Sequence, residues 1–116
     1  MIKTGVDIVY NRRFEKLITN EVFLKKVFHL SELKNKKKLV GIFALKEAVM
    51  KALGKKVNWK DIEIKVKDGK KSEIILSNSI IPKNFKDIDG SISHDGNYTI
   101  AFVILSNYQS HNTTKK

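Results

Sequence analysis

Apolar and polar residues alternate at the start of the chain, take a helical period in its middle, and alternate again toward its end. Over residues 2–9, Ile2, Thr4, Val6 and Ile8 share one side of a strand, and Lys3, Gly5, Asp7 and Val9 share the other. Asp7 therefore points away from the Ile2, Val6 and Ile8 side. Asn11 reads as the N-cap of a short helix over 12–18. Phe14, Leu17 and Ile18 give that helix an apolar stripe and leave Arg12 and Arg13 freer. A second short helix is predicted over 21–27, with Val22, Phe23 and Val27 inward. Residues 31–38 are polar and end in Lys34-Asn35-Lys36-Lys37-Lys38, which predicts a loop or an exposed helix start. The longest helix is predicted over 39–53 and stops at Gly54. Lys51, Lys55 and Lys56 sit where the helix dipole favours cations.

The second half reads as β-rich. Ile62, Ile64 and Val66 alternate with Glu63, Lys65 and Lys67, and residues 72–77 pair back after a turn at Asp68-Gly69. Pro82 lies in a connection. A second hairpin joins residues 91–94 to 98–106 across Asp95-Gly96-Asn97. Its return strand, Thr99-Ile100-Ala101-Phe102-Val103-Ile104-Leu105, is apolar on both sides, which predicts a central strand buried on both faces or one face in subunit contact. The pattern describes one domain over residues 1–108 and a polar tail over 109–116 that frays.

Composition narrows the function classes. The 116 residues carry a formal charge of +11, from 23 basic and 12 acidic side chains. Such a field attracts nucleic acid, a membrane surface, nucleotides or an acidic protein. It is also what a lysine-rich, solvated surface produces. Nearly all of it is lysine, a point charge, and only Arg12 and Arg13 are arginines. The absence of cysteine excludes disulfides, thiolate metal sites and cysteine nucleophiles. No run approaches a membrane span, and no charged start and apolar run mark a signal peptide, so a cytoplasmic protein is expected.

Two acids stand out against this background. Glu47 interrupts the apolar helix between Lys46 and Lys51, and Asp7 interrupts the first strand. Glu47, Lys51 and Gly54 fall at i, i+4 and i+7 on one helix face. That order also makes an ordinary surface salt bridge, worth only about 0.3–0.5 kcal/mol. As a functional pair, Asp7 and Glu47 would hold Mg²⁺, and Lys51 would meet a phosphate, since magnesium is usually held by one or two carboxylates with phosphate and water. Asp7 is equally readable as a solvent-facing strand acid, although Gly5 on the same face leaves room for a ligand. No P-loop, dinucleotide fingerprint or nucleophile elbow is present. A basic nucleic-acid-binding module stays open on charge alone, although aromatics do not interleave with basic residues as base stacking requires.

Four segments in order resemble the holo-[acyl-carrier-protein] synthases, the small 4′-phosphopantetheinyl transferases. They are Gly5-Val6-Asp7-Ile8-Val9, Phe43-Ala44-Leu45-Lys46-Glu47-Ala48 with Lys51-Ala52-Leu53-Gly54, Trp59-Lys60-Asp61-Ile62-Glu63-Ile64, and Ser91-Ile92-Ser93-His94-Asp95. The resemblance implies an α+β fold, an antiparallel sheet packed with one long and several short helices. It implies a homotrimer with active sites between subunits. The implied reaction, in fatty acid biosynthesis, moves 4′-phosphopantetheine from coenzyme A to a serine of apo-acyl carrier protein and releases adenosine 3′,5′-bisphosphate. Asp7 and Glu47 match magnesium ligands, and Lys51 matches a basic residue near the phosphates. Lys46, Gly54 and His94 fall on coenzyme A-binding positions. Arg13 falls where the first helix meets the acidic carrier, with Arg12 assisting.

Glu47, directly or through a metal-bound water, is the first candidate for the base that takes the serine proton, and Lys51 the second. The chain departs from the family pattern at three places. Ile42 stands where an arginine is common, Gly54-Lys55-Lys56 replaces Gly-Thr-Gly, and Gly69-Lys70-Lys71 replaces Gly-Lys-Pro. An inactive trimeric scaffold would need none of the charges at Asp7 and Glu47.

Overall fold

The computed structural model describes residues 1–67 and 69–109. Asp68, half of the expected Asp68-Gly69 turn, and residues 110–116 of the expected tail lie outside them. The fold is α+β. Strands β1 (Ile2–Tyr10), β4 (Phe85–Asp95) and β5 (Tyr98–Asn107) form an antiparallel sheet in the order β1-β5-β4. Strands β2 (Ile62–Lys65) and β3 (Glu73–Leu76) form a separate hairpin. Helices α1 (Asn11–Leu17), α2 (Glu21–Val27) and α3 (Leu30–Leu33) lead to the long α4 (Leu39–Leu53), which lies across one face of the larger sheet. Among the described residues, no helix is long and apolar enough to cross a membrane.

Helix α4 crosses from β4 to β1 over three glycines. Gly41 of the helix faces Ile92 of β4, Leu45 faces Gly90 of β4, and Ala48 and Ala52 face Gly5 of β1. A Cβ on Gly5 would overlap the Ala48 carbonyl oxygen and stand 2.7 Å from the Ala52 nitrogen. Both obstacles are backbone, so no side-chain rotation relieves them. Gly54, at φ 75°, then closes the helix in the left-handed conformation, and its N–H donates to Met50 O at 2.9 Å.

Strand β5 is central but buried on one face only. Thr99, Ala101, Val103 and Leu105 point into the core at 0% exposure, whereas Ile100, Phe102 and Ile104 face outward at 38–44%. The register sets Phe102 opposite Val6 and Ile100 opposite Ile8, which are also exposed. The apolar side of β1 is thus the outer side, and burial on both faces is corrected to burial on one.

Four other expectations change. Strand β4 begins at Phe85, six residues before Ser91. A register shift between Phe85 and Asp87, with acids at 87 and 89 bonding the next residue's N–H, breaks the alternation there. Asn11 begins α1 rather than capping it: its side chain accepts from Thr99 Oγ1 at 2.8 Å, and its N–H donates to Asn97 O. Val22 faces solvent, while Asn20 caps α2 through Val22 N and Phe23 N. The polar stretch after His29 contains α3, in which Glu32 is buried.

That acid is half of a buried ion pair. Lys46 Nζ donates to Glu32 Oε1 at 2.8 Å, to Val27 O at 2.7 Å and to Trp59 O at 3.4 Å. Glu32 also accepts from His29 N at 2.7 Å and from Ile64 N at 2.8 Å. Five bonds thus tie α2, α3, α4 and β2 to one buried node. Burial pulls the Lys46 ammonium below its ordinary value, opposed by the hydrogen bond and charge of Glu32.

Gly5→Ala should cost at least about 2–3 kcal/mol, because α4 must lift from β1 to admit one methyl group. Urea denaturation of the two proteins measures it, and an unchanged midpoint would show that the helix has room.

Candidate active site

Asp7 stands on the helix-facing side of β1, two residues after Gly5, and Glu47 stands on α4 one residue before Ala48. The Gly5 contact therefore brings both acids to one place. They line a single groove of about 380 Å³ at the end of β1, together with Arg13 of α1 and the rings of Tyr10, Phe43 and Tyr98. Glu47 also borders a second recess of about 260 Å³, lined by Lys51, Gly54, Lys55 and Lys56. One carboxylate thus separates an aromatic groove carrying an arginine from a recess carrying three lysines.

Lys51 Nζ lies 3.1 Å from Asp7 Oδ1 and donates to Val6 O at 3.0 Å. The Asp7 side chain is 11% exposed and that of Lys51 55%. The lysine therefore covers the acid from the solvent side. The i, i+4 pairing read from the sequence is not the contact Lys51 makes: it reaches past Glu47 to β1. Burial, and then the charge of Asp7, push the Glu47 carboxyl above its ordinary value of 4.5, while Lys56 and Lys51 pull it down. Two carboxylates that repel each other are a poor structural pair and could share a cation between them.

Among the described residues, no three His, Cys, Asp or Glu side chains converge as a metal cluster. Two acids with open, phosphate-ready surroundings fit Mg²⁺, which keeps waters and takes substrate oxygens. They would not satisfy a structural zinc ion.

The other expected site residues divide. Gly54 lines the lysine recess. Arg12 is not among the groove's lining residues. Lys46 is corrected: as a 0% exposed residue with all three ammonium donors engaged, it has none to offer coenzyme A. Adjacent residues on a helix point about 100° apart, so Glu47 faces the groove and Lys46 the core. His94 lies on another cleft, of about 200 Å³, with Lys37, Lys38, Ile42 and Ser72. Its Nδ1 is 2.9 Å from Thr99 Oγ1, which in turn donates to Asn11 Oδ1. The buried Thr99 thus joins the His94 cleft to the first residue of α1. The missing arginine at Ile42 has Lys37 and Lys38 beside it.

Sequence reasoning missed Glu32, Thr99 and the Tyr10, Phe43 and Tyr98 walls. Only Glu32 left a local signal, an acid three residues into a helix that accepts from the preceding His29 N–H.

Known proteins share this arrangement of chain and fold. The model of the 4′-phosphopantetheinyl transferase superfamily matches residues 3–104. A holo-[acyl-carrier-protein] synthase of Finegoldia magna is 36% identical over 114 residues, covering 90% of this chain and 95% of its own. That of Pelagibacter ubique is 39% identical over 119 residues, covering 87% and 93%. Among solved structures, the Helicobacter pylori holo-[acyl-carrier-protein] synthase in complex with coenzyme A superposes with a TM-score of 0.79 at 35% identity, covering 91% of this chain and all of the other (100%). The Bacillus anthracis enzyme, in complex with coenzyme A (3′,5′-ADP), gives 0.75 at 28% identity, covering 91% and 96%.

The raised Glu47 carboxyl has a pH signature. Below 4.5, the unfolded value, the group is protonated in both states and carries no penalty. As pH rises through the interval up to the folded value, the penalty of the buried carboxylate appears, and above that value it is complete. Without divalent cation, Glu47→Gln should therefore raise the melting temperature by a few degrees at neutral pH and leave it unchanged below pH 4.5. Calorimetry across that range checks the sign; a variant less stable at neutral pH would contradict it.

Proposed function

We propose that this chain, which belongs to the 4′-phosphopantetheinyl transferase superfamily, is a holo-[acyl-carrier-protein] synthase. It transfers 4′-phosphopantetheine from coenzyme A to a serine of apo-acyl carrier protein and releases adenosine 3′,5′-bisphosphate. The observation that carries this reading is the position of Glu47 between the three-lysine recess and the groove that holds Asp7 and Arg13.

Asp7 and Glu47 would hold Mg²⁺, which when bound neutralises charge on the pyrophosphate. The chain's own residues do the rest. Lys51, Lys55 and Lys56 bind the phosphate oxygens as point charges and take up the negative charge that grows as the pyrophosphate bridge breaks. Arg13 faces the same groove as the two acids, so an acidic carrier drawn to it presents its serine beside Glu47. Glu47 accepts the proton from the serine hydroxyl at a carboxylate oxygen. Lys51 serves poorly as the base, because an anionic partner, Asp7 in the free chain or a phosphate in the complex, keeps its ammonium protonated. The rings of Tyr10, Phe43 and Tyr98 wall the groove beside the two acids.

His94, Lys37 and Lys38 lie on a separate cleft, so one ligand touching both sets within a single copy is not supported. A second copy supplies the arrangement: the outer apolar face of β1 and β5 associates with other copies, and a homotrimer sets the His94 cleft of one copy against the acids of the next. The proposed place of action is the cytoplasm, which suits a chain with no cysteine.

Incubation with coenzyme A, Mg²⁺ and apo-acyl carrier protein should add one phosphopantetheine to the carrier by mass spectrometry. No adduct, where a control enzyme modifies the same carrier, would sink the proposal. Arg13→Ala should raise KM for the carrier about tenfold or more, the scale of a charged contact, and leave that for coenzyme A within twofold. An equal loss toward both substrates would remove Arg13 from the carrier surface.

A further inference from the structure

The contact between Lys51 and Asp7 is at odds with a site that holds a divalent cation. Lys51 Nζ lies 3.1 Å from Asp7 Oδ1, one of the two oxygens open to a cation, and over an acid that is itself nearly buried. An ammonium there repels an incoming cation and occupies one of the positions that would bind it. Across the two cavities, Asp7 and Glu47 stand against Lys51, Lys55, Lys56 and Arg13, so cations outnumber anions by two before any metal arrives. An internally paired site with an excess of cations has little attraction for Mg²⁺ alone.

The same lysine has a second place to go. It borders the recess that it shares with Lys55 and Lys56, where a polyphosphate would offer several oxygens. The side chain is 55% exposed and free to swing. Moving from Asp7 to a phosphate exchanges one anionic partner for another. The Val6 carbonyl left behind belongs to an edge strand, where water can replace the lost donor. Release of Asp7 then opens the acid pair to a cation at the moment a phosphate supplies the remaining ligands.

We propose that Lys51 is a resident counter-ion of Asp7 that withholds the acid pair from divalent cations until a polyphosphate draws it away. Lys51 is then a positioning residue as well as a phosphate ligand, and cation and polyphosphate bind cooperatively. By linkage, each strengthens the other by the same factor. The inference rests on the reading of Asp7 and Glu47 as the cation ligands.

Direct binding of Mn²⁺ to the full chain without coenzyme A, followed by loss of the free-ion paramagnetic resonance signal, tests it. Lys51→Met should bind Mn²⁺ about tenfold more tightly than the unsubstituted protein, the scale of one charged hydrogen bond. Lys51→Arg, which keeps the charge, should bind as weakly as the unsubstituted protein. Lys56→Met removes a charge from the same recess but makes no hydrogen bond to Asp7, and should change affinity much less. Equal effects at Lys51 and Lys56, or Lys51→Met binding no tighter, would overturn the inference. Lys51→Gln gives the same comparison should the methionine variant fail to fold. The two readings fail separately: carrier mass decides the transfer activity, and Mn²⁺ affinity decides the role of Lys51.

Discussion

The backbone-to-backbone approach of α4 to β1 at Gly5 is the constraint on which the site depends. The helix comes close because Gly5 has no side chain and Ala48 and Ala52 have small ones. Asp7 lies two residues from that contact on one side and Glu47 one residue from it on the other. The separation of the two acids is consequently set by main chain against main chain, the stiffest element a protein has. Side-chain packing of larger residues would leave the same distance open to rotamer changes of an ångström or more.

Around this fixed pair the charges are arranged by competition. Lys51 satisfies Asp7, Lys56 and Lys51 oppose the repulsion that Asp7 exerts on Glu47, and Arg13 waits on the other side of the groove. None of these contacts is deep enough to be a strong stabiliser, since exposed ion pairs contribute little. Their value is that they can be exchanged. The permanent charge pair of the molecule, Glu32 with Lys46, is kept apart in the core, where each oxygen and each ammonium proton has a partner. Stability and exchange are thereby assigned to different pairs.

The pattern of the chain made the long helix, the first strand and the return strand of the last hairpin legible, because each keeps one pattern for seven residues or more. Asp7 and Glu47 were legible as acids among apolar neighbours. What the sequence hid is long-range. Glu32 and Lys46 meet across 14 positions, and nothing local to Lys46 distinguishes a core lysine from a ligand-facing one. Thr99 and Asn11 meet across 88, so Asn11 looked like a cap. Strand β4 was foreshortened because acids and a bulge broke its alternation. Val22 looked inward because a seven-residue helix gives too few turns to fix its buried side. The outer sheet face was the hardest to place: the apolar side of β1 points away from the core, against the usual association of apolar with inside.

Helix α4 is apolar over most of its circumference, and such a helix could settle on a sheet in several nearly equal rotations. Lys46 removes that degeneracy. A roll that moved Lys46 away would break its three hydrogen bonds and leave the buried Glu32 without its counter-charge. Because Glu47 is the next residue, the rotation that satisfies Glu32 is also the one that aims Glu47 at Asp7. A lysine held in the core thus acts as the index mark by which the helix is set, and an error in folding and an error in the site become the same error.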